Sequence, residues 1–284
     1  MRYEKTKVKR NSWSRWYFFV PSIVGVCIFS IIPFLDVIRR SFLVGGVKGW
    51  VGVKNYQMVI TNSAFNLAVI NTIKFLIICL PILICMSLIV AVALKDVTRS
   101  IAIKTMLLLP LATPLATAAV VWQITFHNFG LVNGALDILG IQTRNWMNSS
   151  LAFYILVITY VWKNLGYSVV LWLAGLNAIS KDIYEAAHMD GAGRFLCFWK
   201  ITIPNLKSTC FMIIVLSLIN SFKIFREAYL VAGDYPHESM YMLQHLFNNW
   251  FRDLSIDKLA AGAVLETVVI ITLIYIIRKI WKEG

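Results

Sequence analysis

Six stretches of this chain are apolar over about the 20 residues that a helix needs to cross a bilayer's hydrocarbon core. They run Tyr17–Ile38, Leu67–Leu94, Ala102–Phe126, Leu151–Leu176, Thr209–Leu230 and Leu259–Ile277. Polar and charged residues collect between them in short segments, none large enough for an independent domain. Pro81, Pro110 and Pro114 fall inside the stretches; membrane helices tolerate proline where neighbours satisfy the freed carbonyls. The pattern predicts an all-α membrane protein: a basic tail over residues 1–16, then one domain of six transmembrane helices over 17–284.

Composition supports lipid as part of the solvent. The chain is 284 residues long, 59% hydrophobic and only 14% charged, with mean hydropathy +0.71; a soluble domain of this size cannot bury that much apolar surface. The formal charge of +13 would suggest nucleic acid in a soluble protein. Here the basic residues sit at the ends of the apolar runs and no nucleic-acid motif accompanies them. Anchoring against anionic membrane lipids is the better reading, and no nucleic acid is expected. With the N-terminus inside, 16 basic residues fall in inner segments against 9 in outer ones. That places both termini on the cytoplasmic side of a multi-pass protein of the cell (inner) membrane. Trp13, Trp16, Trp50, Trp146, Trp250 and Trp281 fall near stretch ends, as an interfacial aromatic belt requires. The basic N-terminus before an apolar run superficially copies a signal peptide. The run is too long, holds Pro21 and Pro33, and lacks a small-x-small cleavage site, so a retained first span is expected. The cysteines form no CxxC pair and the four histidines are scattered, so neither a disulfide framework nor a metal site is expected.

The one long inner loop covers residues 177–207. Ser180 is placed to cap a helix over Lys181–Asp190, Asp182 sits near the positive end of its dipole, and Gly191 supplies a stop. Ile183, Ala186, Ala187 and Asp190 share one side, with Tyr184 and Met189 flanking it. The small alanines allow close approach of another surface, and Glu185 and Asp190 offer charge to a basic partner. An amphipathic helix lying on the inner leaflet is the alternative; the acidic pair weighs against it, because that leaflet is negative.

Glu185, Ala186, Ala187, Asp190, Gly191, Ala192, Phe198, Ile201 and Pro204 stand at the spacing of E-A-A-x-x-D-G-A followed by Ile and Pro. The segment resembles the EAA loop of binding-protein-dependent ABC importer permeases of the sugar type, similar to the maltose and glycerol-3-phosphate importers. Ile203 replaces a frequent Leu. The six-span layout extends the resemblance over residues 1–284, and Ser221–Phe225, Tyr229 and the Gly233–Ser239 turn look like one partner of such heterodimers. The resemblance implies the type I ABC importer permease fold, with a cytoplasmic coupling helix between the fourth and fifth spans. Glu185, Ala186, Ala187, Asp190, Gly191 and Ala192 would seat in an ATPase cleft, so that ATP-driven closure rocks the spans by alternating access. The implied partners are a sister permease, two ATP-binding-cassette ATPase subunits and an extracytoplasmic solute-binding protein. No G-x-x-x-x-G-K-[ST] motif is present. ATP and Mg would be used by the ATPase, and this chain would bind no cofactor and catalyse nothing.

Polar residues inside spans face a cavity or another helix. Tyr160, Trp162, Lys163, Asn164, Tyr167, Ser217, Asn220 and Ser221 flank the loop at distances similar to the sugar-gripping positions of maltose-type permeases. Rings and amides suit a polyhydroxylated ligand, an oligosaccharide above all or another polar solute such as a glycerol phosphate; interhelical packing is the competing role. Glu266 is the only carboxylate deep in an apolar run, and a pairing with Lys74, Lys163 or Lys223 is expected for it. Docking of the solute-binding protein is limited to small outer patches around Gly45–Gln57 and Asp234–Arg252. An intramembrane enzyme would need converging acid–base groups, and no DxxD or HxxxH pattern appears. A secondary transporter would show two matching halves, which this chain lacks.

Overall fold

The computed structural model describes residues 12–45, 48–95, 100–222, 228–229 and 236–283. The chain enters as α1 (Ser12–Val26), so the boundary expected at residue 16 falls inside a helix. One π-helical stretch, Cys27–Ile31, passes directly into α2 (Ile32–Arg40). A two-stranded antiparallel hairpin, β1 (Leu43–Val44) and β2 (Lys48–Trp50), follows, and α3 (Lys54–Ile60) leads to α4 (Ser63–Leu94). The hairpin departs from the all-α expectation only locally. Asn55 holds it to α3 by donating from Nδ2 to the carbonyls of Ser41 and Leu43, at 2.9 and 3.0 Å.

Among the described residues, four helical runs are long and apolar enough to cross a membrane: Phe19–Arg40, Ser63–Leu94, Ala152–Ala178 and Ile256–Ile280. The other two expected spans are bent. α5 (Ser100–Ala112) and α6 (Leu115–Thr125) replace the single helix expected over Ala102–Phe126, and their segments Thr105–Ala112 and Ala116–Thr125 meet at 97°. The break falls at Thr113–Pro114, because proline has no N–H to give and drives the residue before it out of the helical region. Pro81 and Pro110, by contrast, remain inside α4 and α5. Beyond α7 (Leu131–Ile138) comes α8 (Ala152–Ala178), then α9 (Lys181–Met189). Helical residues then resume with α10 (Arg194–Cys197), a π stretch at Phe198–Thr202 and α11 (Ile203–Asn205). The segment Arg194–Asn205 meets α12 (Lys207–Ser221) at 62°. The inner loop is therefore mostly helical, and the fifth span starts at Lys207 rather than Thr209. Most of its expected end, with Lys223, lies outside the described residues. The chain closes with α13 (Leu243–Arg252) and α14 (Ile256–Glu283).

α4 and α8 form the centre of the bundle. Phe75 of α4 meets Tyr160 and Phe153 of α8 edge-on, with ring centroids 5.4 and 6.5 Å apart. Toward the end that carries α9, the Trp172 indole donates to Ser87 Oγ at 3.0 Å in full burial. That end is packed by Ala91, Leu94, Val169, Leu173, Leu176, Leu206 and Ile213. α5 crosses α8 at Gly166, where a Cβ would stand 1.8 Å from the Leu107 carbonyl oxygen. At the opposite end a separate core of Val59, Ala68, Leu246, Phe247, Trp250 and Ala261 ties α3 and α13 to α4 and α14.

Candidate functional site

α9 is built by local signals alone. Ser180 caps it, its Oγ accepting from the Asp182 N–H at 3.3 Å. At the far end the Gly191 N–H donates to the His188 carbonyl at 3.0 Å and the Ala192 N–H to the Ala187 carbonyl at 2.9 Å. This bond pair is a Schellman stop, which places Gly191 in the left-handed region at φ +81°. The helix ends at Met189 with Asp190 as its cap, one residue short of the expected end.

The helix has two unlike sides. Tyr184 and Ala187 are half-buried toward the bundle, where the Tyr184 hydroxyl pairs with Thr202 Oγ1 at 2.8 Å and the Lys95 ammonium lies 4.5 Å from the centre of the Tyr184 ring. Lys181, Asp182, Ile183, Glu185, Ala186, Met189 and Asp190 are exposed, Met189 at 89%. Of the expected coupling residues, Glu185, Ala186, Asp190 and Gly191 face outward together, while Ala187 and Ala192 are half-buried. A projecting helix that exposes Ile183 and Met189 between acidic groups is a surface of the kind another protein covers.

The in-span polar residues divide by exposure. Tyr160 is 2% exposed and its hydroxyl donates to the Ser217 carbonyl at 2.6 Å, joining α8 to α12. Ser217 and Ser221 are buried too; Ser221 Oγ donates to the Leu218 carbonyl and borders a crevice of about 10 Å³, room for one water at most. These three groups face other helices. Lys163, Asn164, Tyr167 and Asn220 are half-buried and Trp162 is exposed. Asn164 Nδ2 donates back to the Tyr160 carbonyl at 2.9 Å. Trp162 begins an aromatic row, edge-on to Trp122, which stacks on Phe126, which meets Trp146, with centroids 5.7, 5.4 and 5.9 Å apart.

Among the described residues Glu266 takes a partner other than the expected Lys74 or Lys163; Lys223 lies outside them. It accepts from Gln244 Nε2 at 3.3 Å, so a neutral amide on α13 replaces Lys74 or Lys163. Sequence reasoning also missed three amides that organise the opposite end. The two Asn133 Nδ2 hydrogens are shared among the carbonyls of His127, Asn128 and Arg144, and its Oδ1 accepts from the Arg144 N–H and the Trp146 indole. Asn71 donates to the Glu238 and Tyr241 carbonyls, and Asn55 holds the hairpin. Each stands on a helix, Asn55 on α3, Asn71 on α4 and Asn133 on α7, where nothing in the local pattern announces its burial.

A helical bundle with bent spans, a projecting capped helix at one end and small organised segments at the other defines an integral membrane transport component. The chain belongs to the family of binding-protein-dependent transport system inner membrane components, which matches residues 67–283. It is thus a transmembrane, non-catalytic part of an importer that works with a binding protein. Among curated relatives, the trehalose/maltose transport system permease protein MalF of Thermococcus litoralis is 28% identical over 266 residues, covering 90% of each chain. The arabinooligosaccharides transport system permease protein AraP of Bacillus subtilis is 27% identical over 270 residues, covering 92% of this chain and 85% of that one. The fold is shared with the crystal structure of a bacterial ABC transporter that imports the acidic polysaccharide alginate. The TM-score is 0.84 at 19% identity, with 95% and 96% of the two chains covered.

Proposed function

We propose that this chain is one of two permease subunits of an ATP-driven importer for a carbohydrate, an oligosaccharide above all. α9 is its coupling helix. The observation that carries the reading is the exposed face of α9, with Glu185, Ala186, Asp190 and Gly191 turned away from the bundle on a helix closed at both ends by its own caps. The sugar and oligosaccharide permeases among its relatives support the substrate class.

In this reading two ATPase subunits grip α9 and its counterpart on a sister permease, and both termini lie on the cytoplasmic side. ATP and Mg bind the ATPases, and this chain holds no cofactor. Closure of the ATPases moves α9, and the half-buried Tyr184 passes the displacement to Thr202 and so to α12. Trp162, Lys163, Asn164, Tyr167 and Asn220 line the solute path with the sister subunit, while Tyr160, Ser217 and Ser221 hold α8 against α12. The binding protein docks at the outer end, on the hairpin-α3 segment and α13. The organised backbone there supports the docking role: besides the Asn55 clamp, the Gly45 N–H donates to Asp257 Oδ2 at 3.3 Å.

Purification of the tagged chain tests the reading. An ATPase and a second permease are expected to co-purify, and an oligosaccharide-loaded binding protein should stimulate ATP hydrolysis. A tagged chain that purifies without an ATPase would refute it.

A further inference from the structure

Behind α9, between it and the ends of α4 and α8, lies a cavity of about 430 Å³. Lys95, Tyr184, His188, Arg194 and Thr202 supply its polar wall, and Val92 and Leu176 part of its apolar wall. Among the described residues that line it there is no Asp or Glu. Lys95 faces the Tyr184 ring, not a carboxylate, and among the described residues no carboxylate oxygen lies within 4.0 Å of Lys95 or Arg194. Tyr184 and Thr202 are fixed by their mutual hydrogen bond, and His188 Nδ1 is held at the Ala192 carbonyl, 3.0 Å away. Two cations with no carboxylate partner among the described residues, and a set of positioned hydroxyl and imidazole groups, therefore share one pocket, where apolar spans end and polar chain begins. Phe195, Leu196 and Trp199 stand exposed on the adjoining segment, beside exposed Arg194 and Lys200. Aromatic and basic residues in that mixture sit at the headgroup level of a bilayer.

We propose that this pocket binds the phosphate headgroup of an anionic phospholipid, wedged between α9 and the spans. Basic pockets between transmembrane helices are suited to such headgroups, and the phosphate oxygens can accept from Lys95 and Arg194 at once. Bound there, the lipid links α9 to the ends of α4 and α8 and stiffens the transmission of its movement. Lipid binding stands on the pocket alone; the effect on coupling rests on the reading of α9 given above.

The test uses the assembled, detergent-solubilised complex and native mass spectrometry with added phosphatidylglycerol, phosphatidylcholine, glycerol phosphate or inorganic phosphate. Phosphatidylglycerol is expected to be retained over phosphatidylcholine. In Lys95→Gln/Arg194→Gln its affinity should fall about 30-fold, which is the ~2 kcal/mol that two basic side chains contribute near an anionic surface. Lys95→Arg/Arg194→Lys should retain it, which separates charge loss from misfolding. Lys181→Gln/Lys200→Gln removes the same charge outside the pocket and should leave retention unchanged. Equal loss in that control, or no selectivity for phosphatidylglycerol, overturns the site. Competition by glycerol phosphate or inorganic phosphate as strong as by the lipid overturns the lipid assignment. Lost retention with the ATPase still bound and coupled would leave the binding site standing and remove only its role in transmission.

Discussion

Gly191 and Tyr160 show how single residues divide the work. At φ +81°, Gly191 closes α9 in a conformation that costs an L-residue about 1–2 kcal/mol, and no atom lies within 4 Å of where its Cβ would stand. The penalty of substitution is therefore backbone strain, not collision. Gly191→Ala should weaken coupled uptake modestly and Gly191→Asn less, because asparagine tolerates the left-handed region. Gly191→Pro should abolish it, since proline loses the N–H given to His188 and cannot reach that φ. Coupled uptake in vesicles ranks the three, and full uptake in the proline variant would remove α9 from the transmission path. Tyr160→Phe deletes the hydrogen bond to Ser217 and should lower stability by about 1 kcal/mol with the KM for solute unchanged. Trp162→Ala should raise KM, because that ring is exposed where a sugar could stack. A raised KM in Tyr160→Phe would reverse the two assignments.

Among the elements, α13 carries a titration. His245 of α13 is fully buried, and its Nδ1 accepts from the Met242 N–H at 3.2 Å, tying the helix back to its own start. Burial pushes the imidazole down to about 4 from its ordinary 6.5. The folded protein holds this ring neutral while the unfolded chain binds a proton between those values. Its contribution to stability is thus fully present above pH 6.5 and is lost as pH falls toward 4. Melting temperature in detergent should drop across that window, and His245→Gln, which can still accept from Met242, should flatten the drop. An unchanged slope in that variant would place the pH dependence elsewhere. The same scale explains the bend between α5 and α6. Pro114 interrupts a run whose hydrophobicity alone reads as continuous, whereas Pro81 stays in register inside α4, where α8 packs alongside.

For the whole molecule, the proposed orientation puts α9 and the α13 end on opposite sides of the membrane. Exposed Met189 and exposed Leu254 mark the two ends. Met189→Cys should react with an impermeant thiol reagent only in inside-out vesicles, and Leu254→Cys only in right-side-out ones; the reverse pattern would invert the topology. Exposed apolar side chains along α1, α6 and α14 are consistent with lipid and further subunits completing the solvent of this bundle.

Properties carried by local or one-dimensional signals were readable without coordinates. The spans follow from apolar length, and α9 follows from Ser180, its alanines and Gly191, whose hydrogen bonds reach only a few residues along the chain. The shared exposure of Ile183, Ala186 and Asp190 follows from helical period, but the turn of Ala187 and Tyr184 toward the bundle does not. Long-range meetings were not readable. Whether Tyr160 lines a path or bonds Ser217, whether Glu266 meets a lysine or Gln244, and whether Lys95 gathers with Arg194 around one cavity depend on which helices touch and in what register. Apolar runs have little one-sided pattern to announce that register, so it was decided only by packing: by Gly166 letting α5 close on α8, and by α4 and α8 interlocking through Phe75 and Trp172.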